Sequence, residues 1–125
     1  MSDIIKIAVP TNGTGGLDAQ RSAHFGHADS FTIVDVADGV IVSGRGIVNP
    51  PHVQGGCGAT VAMLAQAGVG TAIVVGMGGG PLRAMRTTGM MPLFDDESPT
   101  PRAAVEAFLA GKRAGFGEDN TCRGH

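Results

Sequence analysis

Phe31-Thr-Ile-Val-Asp-Val-Ala-Asp38-Gly39-Val-Ile-Val42 reads as two strands joined by a two-residue turn. Asp-Gly between apolar runs is a strong hairpin signal, because both central residues of such a turn take positive φ. The two strands are therefore antiparallel neighbours, and the second leads on to Ile47-Val48. Working back, Ile4-Ile-Lys-Ile-Ala-Val9 is apolar on both faces apart from Lys6, the pattern of a strand inside a sheet. Working forward, the period changes. Ala59, Val61, Met63, Leu64, Ala65 and Ala67 suit a helix closed by Gly68. Thr71-Ala-Ile-Val-Val75 is a short buried strand, Pro81 fits the first position of a helix over residues 82–88, and residues 90–94 make another strand. Thr100 is a good N-cap with Pro101 behind it, and Ala104, Val105, Phe108 and Leu109 share one face. A strand, a hairpin and then αβαβα predict a mixed sheet with helices packed on it in three layers, its βαβα half crossing over right-handed.

The 125 residues suit one domain over residues 1–111, followed by a tail over residues 112–125. Nine Lys and Arg against eleven Asp and Glu give a net charge of −2, so there is no electrostatic case for nucleic acid. Tyr and Trp are absent, which removes stacking platforms as well. The 21 glycines fall in short runs between apolar segments, the mark of tight loops close to a ligand. Cys57 and Cys122 are too few for a disulfide framework and form no Cys-x-x-Cys pair. The start of the chain has no signal-peptide pattern, and no apolar run nears the roughly 20 residues that span a bilayer. A cytoplasmic protein with reduced thiols and no membrane association is expected.

The chemistry-bearing residues lie in predicted loops. His52-Val-Gln-Gly-Gly56-Cys57-Gly58-Ala places a thiol and an imidazole just ahead of a helix. A thiol there sees the positive end of the macrodipole, which favours the thiolate that binds soft metals or attacks electrophiles. A small buried thiol packing a helix start explains the same residue without a ligand. Ser22-Ala-His24-Phe-Gly-His27-Ala supplies two more imidazoles, with Phe25 read as the loop's anchor in the core. Gly76-Met77-Gly78-Gly79-Gly80-Pro81 lacks the third glycine of a dinucleotide fingerprint and the Lys of a P-loop. It remains a strand-to-helix turn whose N–H groups suit an anion, or a tight turn only. Thr11, Asn12 and Gly13 end the first strand, either as a turn or as part of the same rim, since ligands gather beyond the carboxyl ends of strands in open α/β sheets. Asp95-Asp-Glu97 is read as a solvated acidic loop, and Cys122 and His125 as tail residues.

Pro10-Thr-Asn, Ser22-Ala-His24-Phe-Gly-His27-Ala with Phe31-Thr-Ile-Val-Asp, Gly76-Met-Gly-Gly-Gly-Pro81 and the closing Ala107-Phe-Leu-Ala-Gly111 recur in this order in one family. Over residues 4–111 the chain resembles the dinitrogenase iron–molybdenum cofactor biosynthesis family, and its single-domain length is similar to that family's stand-alone members. The resemblance implies an α/β, ribonuclease-H-like three-layer fold with a five-stranded mixed sheet and about three helices. It also implies a non-enzymatic role in binding, storing or transferring an iron–sulfur, molybdenum/iron–sulfur or copper-containing molybdenum–sulfur cluster or its precursor. Within the family pattern His24 matches a recurring histidine, whereas His27 stands where Arg is common.

The expected metal ligands are His24, Cys57, His52 and His27. Thr11, Asn12, Gly56, Gly58, Gly76, Met77, Gly78 and Gly79 are expected around the bound group. One copy of this chain cannot give four-cysteine ligation, which favours loose, transferable binding over a permanent redox centre. The expected partners are cluster donor and acceptor proteins, for a monomer or weak homodimer. Two other readings compete. One is a small-molecule hydrolase or transferase with Cys57 as nucleophile and His52 or His24 as base; the other is a metal-free module that binds an anion on its glycine loops. A nuclease would need several carboxylates on the sheet, and only Asp35 lies within a predicted strand.

Overall fold

Ile7, Ala8 and Val9 are fully buried because their strand, β1 (Ile5–Thr11), lies in the middle of the sheet and is covered on both faces. The computed structural model describes residues 4–23, 25, 28–49, 56–76 and 79–110, leaving aside the side chains of residues 56–59 and 79–81. Along the chain follow β2 (Ser30–Ala37), β3 (Val40–Val48), α1 (Gly56–Gln66), β4 (Thr71–Val74), α2 (Gly79–Thr88), β5 (Met91–Phe94) and α3 (Pro101–Leu109). The strand order is β3-β2-β1-β4-β5. The β1–β2 and β2–β3 pairs are antiparallel, and the β1–β4 and β4–β5 pairs parallel. This is the expected ribonuclease-H-like mixed sheet, with three helices among the described residues.

The alternation of side chains along β1 and β2 divides the core in two. Ala8, Phe31 and Ile33 pack with Val61 and Leu64 of α1 and Met85 of α2. Ile7, Val9, Val34 and Val36 pack with Ala104 and Val105 of α3. So α1 and α2 make one outer layer, α3 the other, and the sheet lies between them. Asp38 and Gly39 take φ of 55° and 77°, the two positive values that the hairpin signal requires. Thr100 caps α3 as expected, its hydroxyl accepting from the Ala103 N–H at 3.1 Å.

Three boundaries differ from the sequence reading by more than a residue or two at a strand end. β3 is one continuous strand through Gly44 and Gly46. These glycines form a floor for the loop after β1: a Cβ on Gly46 would stand 1.8 Å from the Thr14 carbonyl oxygen, and one on Gly44 2.5 Å from Leu17. α1 begins at Gly56, so Cys57 lies in its first turn rather than in a loop ahead of it. Glycine in a helix costs only about 1 kcal/mol, which burial of Val61 and Leu64 outweighs. α2 likewise begins at Gly79, two residues before Pro81, because the first-turn N–H groups need no intrahelical partner.

Candidate functional site

The carboxyl ends of β1, β4 and β5 share one edge of the sheet, and β3, antiparallel to β2, ends there too. Each of the three helices starts from that edge. α1 ends at Gln66, and the turn after it leads to Gly70, whose N–H donates to the Lys6 carbonyl at the far end of β1. α2 runs the same way to Thr88, and just beyond it the Met91 N–H that opens β5 donates to the Gly70 carbonyl. None of the helices carries an acidic residue in its first turn. The positive ends of α1 and α2, side by side on one face, are therefore not balanced by first-turn carboxylates of their own.

The chain between β1 and β2 crosses this edge from one face to the other. Its first part lies on the α3 side, directly on Gly44 and Gly46 of β3. There the buried Thr11 hydroxyl meets Ser30 Oγ at 2.7 Å and Thr32 Oγ1 at 3.2 Å, while the Gly16 N–H donates to Thr32 Oγ1 at 2.9 Å. At the start of α3, the Arg102 N–H donates to the Leu17 carbonyl, and its guanidinium to both oxygens of Asp18. Residues 20–22 then pair with the end of β1: the Asn12 N–H donates to the Gln20 carbonyl, and the Ser22 N–H to the Pro10 carbonyl. Beyond them Phe25 and Ala28 are buried in the layer under α1 and α2, the Phe25 ring centred 5.2 Å from that of Phe31. Asn49 holds the far end, its N–H donating to the Asp29 carbonyl and its side-chain amide to the Ala28 carbonyl at 2.7 Å.

Against this frame the sequence-derived residues sort clearly. Cys57, Gly56 and Gly58 occupy the first turn of α1. Gly76 follows β4 and Gly79 opens α2. Asn12 is exposed at the edge, whereas Thr11 is fully buried with its hydroxyl engaged by Ser30 and Thr32. Phe25 is the core anchor that the sequence led one to expect. His24, His27, His52, Met77 and Gly78 lie outside the described residues, as do Cys122, His125 and the expected tail. Among the described residues, no group of three or more His, Cys, Asp and Glu gathers as a metal site.

Asp95 corrects the sequence reading, being almost wholly buried rather than solvated. Its Oδ1 accepts from the N–H groups of Glu97 and Ser98, and its Oδ2 accepts from Ser98 Oγ at 2.6 Å. Arg21 approaches it at 3.8 Å and donates to the Ser98 carbonyl at 3.0 Å. Burial alone would raise the Asp95 carboxyl, but the Ser98 hydroxyl, the two N–H groups and the Arg21 charge together hold it below the ordinary carboxylate range. Nothing in the one-dimensional pattern marked Arg21, since its partner is remote in sequence.

A family model described as dinitrogenase iron-molybdenum cofactor matches residues 3–111. Among curated proteins none matches the sequence. Solved structures do. The apo form of the orange protein from Desulfovibrio gigas superposes with a TM-score of 0.78 at 27% identity, over 92% of this chain and 95% of that one. A provisionally assigned NifB protein from Thermotoga gives a TM-score of 0.70 at 23% identity, over 90% and 93% of the two chains. A provisionally assigned dinitrogenase from Methanocaldococcus jannaschii gives 0.71 at 14% identity, over 91% and 96%. These last two are similar in fold alone.

Proposed function

The chain belongs to the dinitrogenase iron-molybdenum cofactor family, and on that premise we propose that it binds and hands over an anionic metal–sulfur cluster without catalysing a reaction. The observation that carries this reading is the start of α1 beside α2 at one sheet edge, with Cys57 in the first turn and no first-turn carboxylate on either helix. Helix N–H groups and the macrodipoles stabilise negative charge, and a thiolate is the ligand that iron, copper and molybdenum–sulfur species prefer. Cys57 is the principal ligand. His24 is the second, on the segment that Phe25 anchors beneath α1; His52 and His27 are further donors.

The glycines at positions 56, 58, 76, 78 and 79, with Met77 and Asn12, form the surround. Thr11 acts as a strut under the rim. A single proposed thiolate ligand, Cys57, makes the cargo releasable, which suits delivery between a donor and an acceptor protein in the reducing cytoplasm, with the chain a monomer or weak homodimer. Likeness to the orange protein, solved in an apo form, also supports a bound group.

The test is anaerobic reconstitution with ferrous iron, molybdate or Cu(I), each with sulfide, followed by gel filtration and a visible spectrum. A carrier acquires sulfide-to-metal absorption that travels with the protein and weakens in Cys57→Ala and His24→Ala. Colourless protein under every combination would sink the reading and return Cys57 to consideration as a nucleophile.

A further inference from the structure

We infer that the buried Arg21–Asp95 pair is a positioning device for the cargo site, locking the register in which the histidine-bearing segment crosses the sheet edge. The inference rests on the cargo reading above. Residues 20–22 form only a short extension beside β1, held by the two backbone hydrogen bonds that make the Thr11–Arg21 bridge. So short a pairing specifies its own register weakly, and a slip of one residue moves every side chain to the opposite face. Arg21 removes that freedom.

Opposite Thr11, the Arg21 side chain lies on the α3 side of the sheet, where Asp95 and the Ser98 carbonyl receive it. The Arg21 and Asp95 side chains are only 4% and 0% exposed, so removing either one alone would leave the other charge buried without its counter-charge. Slipped by one residue, the guanidinium would face the apolar layer of Phe25, Phe31 and Val61. The receiving carboxylate is also held by groups other than Arg21, namely Ser98 Oγ and the N–H groups of Glu97 and Ser98.

Four residues further on, Phe25 enters the opposite layer. The stretch carrying His24 is thus bounded by one anchor on each face of the sheet. Arg21 and Asp95 touch no cargo; they act through the backbone that carries the histidine. Buried pairs of this kind contribute little net stability against apolar replacements, and a role in register is their best-attested use.

The double variant Arg21→Met with Asp95→Leu tests this, because it removes both charges together and leaves neither buried alone. Its melting temperature is expected to fall, because the N–H groups of Glu97 and Ser98 lose their acceptor, while affinity for the reconstituted cluster falls by about ten- to a hundredfold, as for other residues that orient ligands from behind. Val105→Ala, in the core under α3, is the control: it should lower the melting temperature and leave loading unchanged. Hydrogen exchange of residues 20–25 is read in the same cargo-free proteins, with faster exchange expected in the double variant only. If the wild type loads and the double variant loads with equal affinity and colour, the inference falls and the carrier reading stands. If the wild type never loads, the carrier reading falls, and the exchange rates still decide whether the pair fixes the segment. Unchanged exchange overturns the inference in either case.

Discussion

Gly46→Ala should destabilise the protein although alanine is the better residue in a strand. Replacing a strand glycine that has open space around it stabilises by about 0.5–1 kcal/mol, because the unfolded chain has less entropy to lose. At Gly46 the new Cβ would sit 1.8 Å from the Thr14 carbonyl oxygen, 2.9 Å from its carbon and 3.2 Å from Gly15 Cα. These are backbone atoms and cannot rotate aside. Either the loop lifts off β3, giving up the Gly16–Thr32 contact, or β3 bends away from it. Overpacking of this severity costs about 3 kcal/mol, so the net loss is about 2 kcal/mol, or roughly 6–10 °C in a chain of this length.

Two companions grade the effect. Gly44→Ala meets the Leu17 side chain, part of which can turn away, so its loss should be smaller. Gly70→Ala meets nothing within 4 Å and should be neutral or slightly stabilising. Thermal melts followed by circular dichroism rank the three. A Gly46→Ala protein as stable as the wild type, or more so, would refute the claim that the loop rests on bare strand backbone.

Thr100→Ala removes the hydroxyl that accepts from the Ala103 N–H and should cost about 1 kcal/mol in chemical denaturation; no loss would mean that the cap is dispensable. Because the folded-state pKa of Asp95 is lowered, its contribution to stability is complete above the unfolded value of about 3.9 and is lost as pH falls through the folded one. The stability gap between wild type and Asp95→Asn in urea titrations should therefore narrow as pH drops below about 4; a gap constant down to pH 2 would contradict the buried, ionised assignment.

The hairpin, the central strand and the capped last helix were legible because each rests on local rules: Asp38-Gly39 for the turn, a two-sided apolar run for β1, and Thr100-Pro101 for α3. What escaped was set by contacts distant in sequence. Gly44 and Gly46 look like strand breakers until the loop that needs their missing side chains is seen above them. Gly56 and Gly58 look like loop residues until the apolar face of α1 behind them holds the helix together. Asp95 stands in an acidic run that any composition rule assigns to water, and only the approach of Arg21 and the Ser98 turn explains its burial. The candidate edge itself was foreseeable from strand direction, whereas the crossing of residues 12–29 from the α3 side to the α1 side was not. That crossing depends on which layer takes Phe25, and periodicity within a loop does not say.

Cargo binding turns on Cys57 at the start of α1. Metal and acid-labile sulfide analysis of the anaerobically purified and reconstituted chain, wild type beside Cys57→Ala, tests it most directly. Metal and sulfide are expected together in the wild type, with both largely lost in the variant at an unchanged circular dichroism spectrum. Equal metal and sulfide in the two proteins would contradict it.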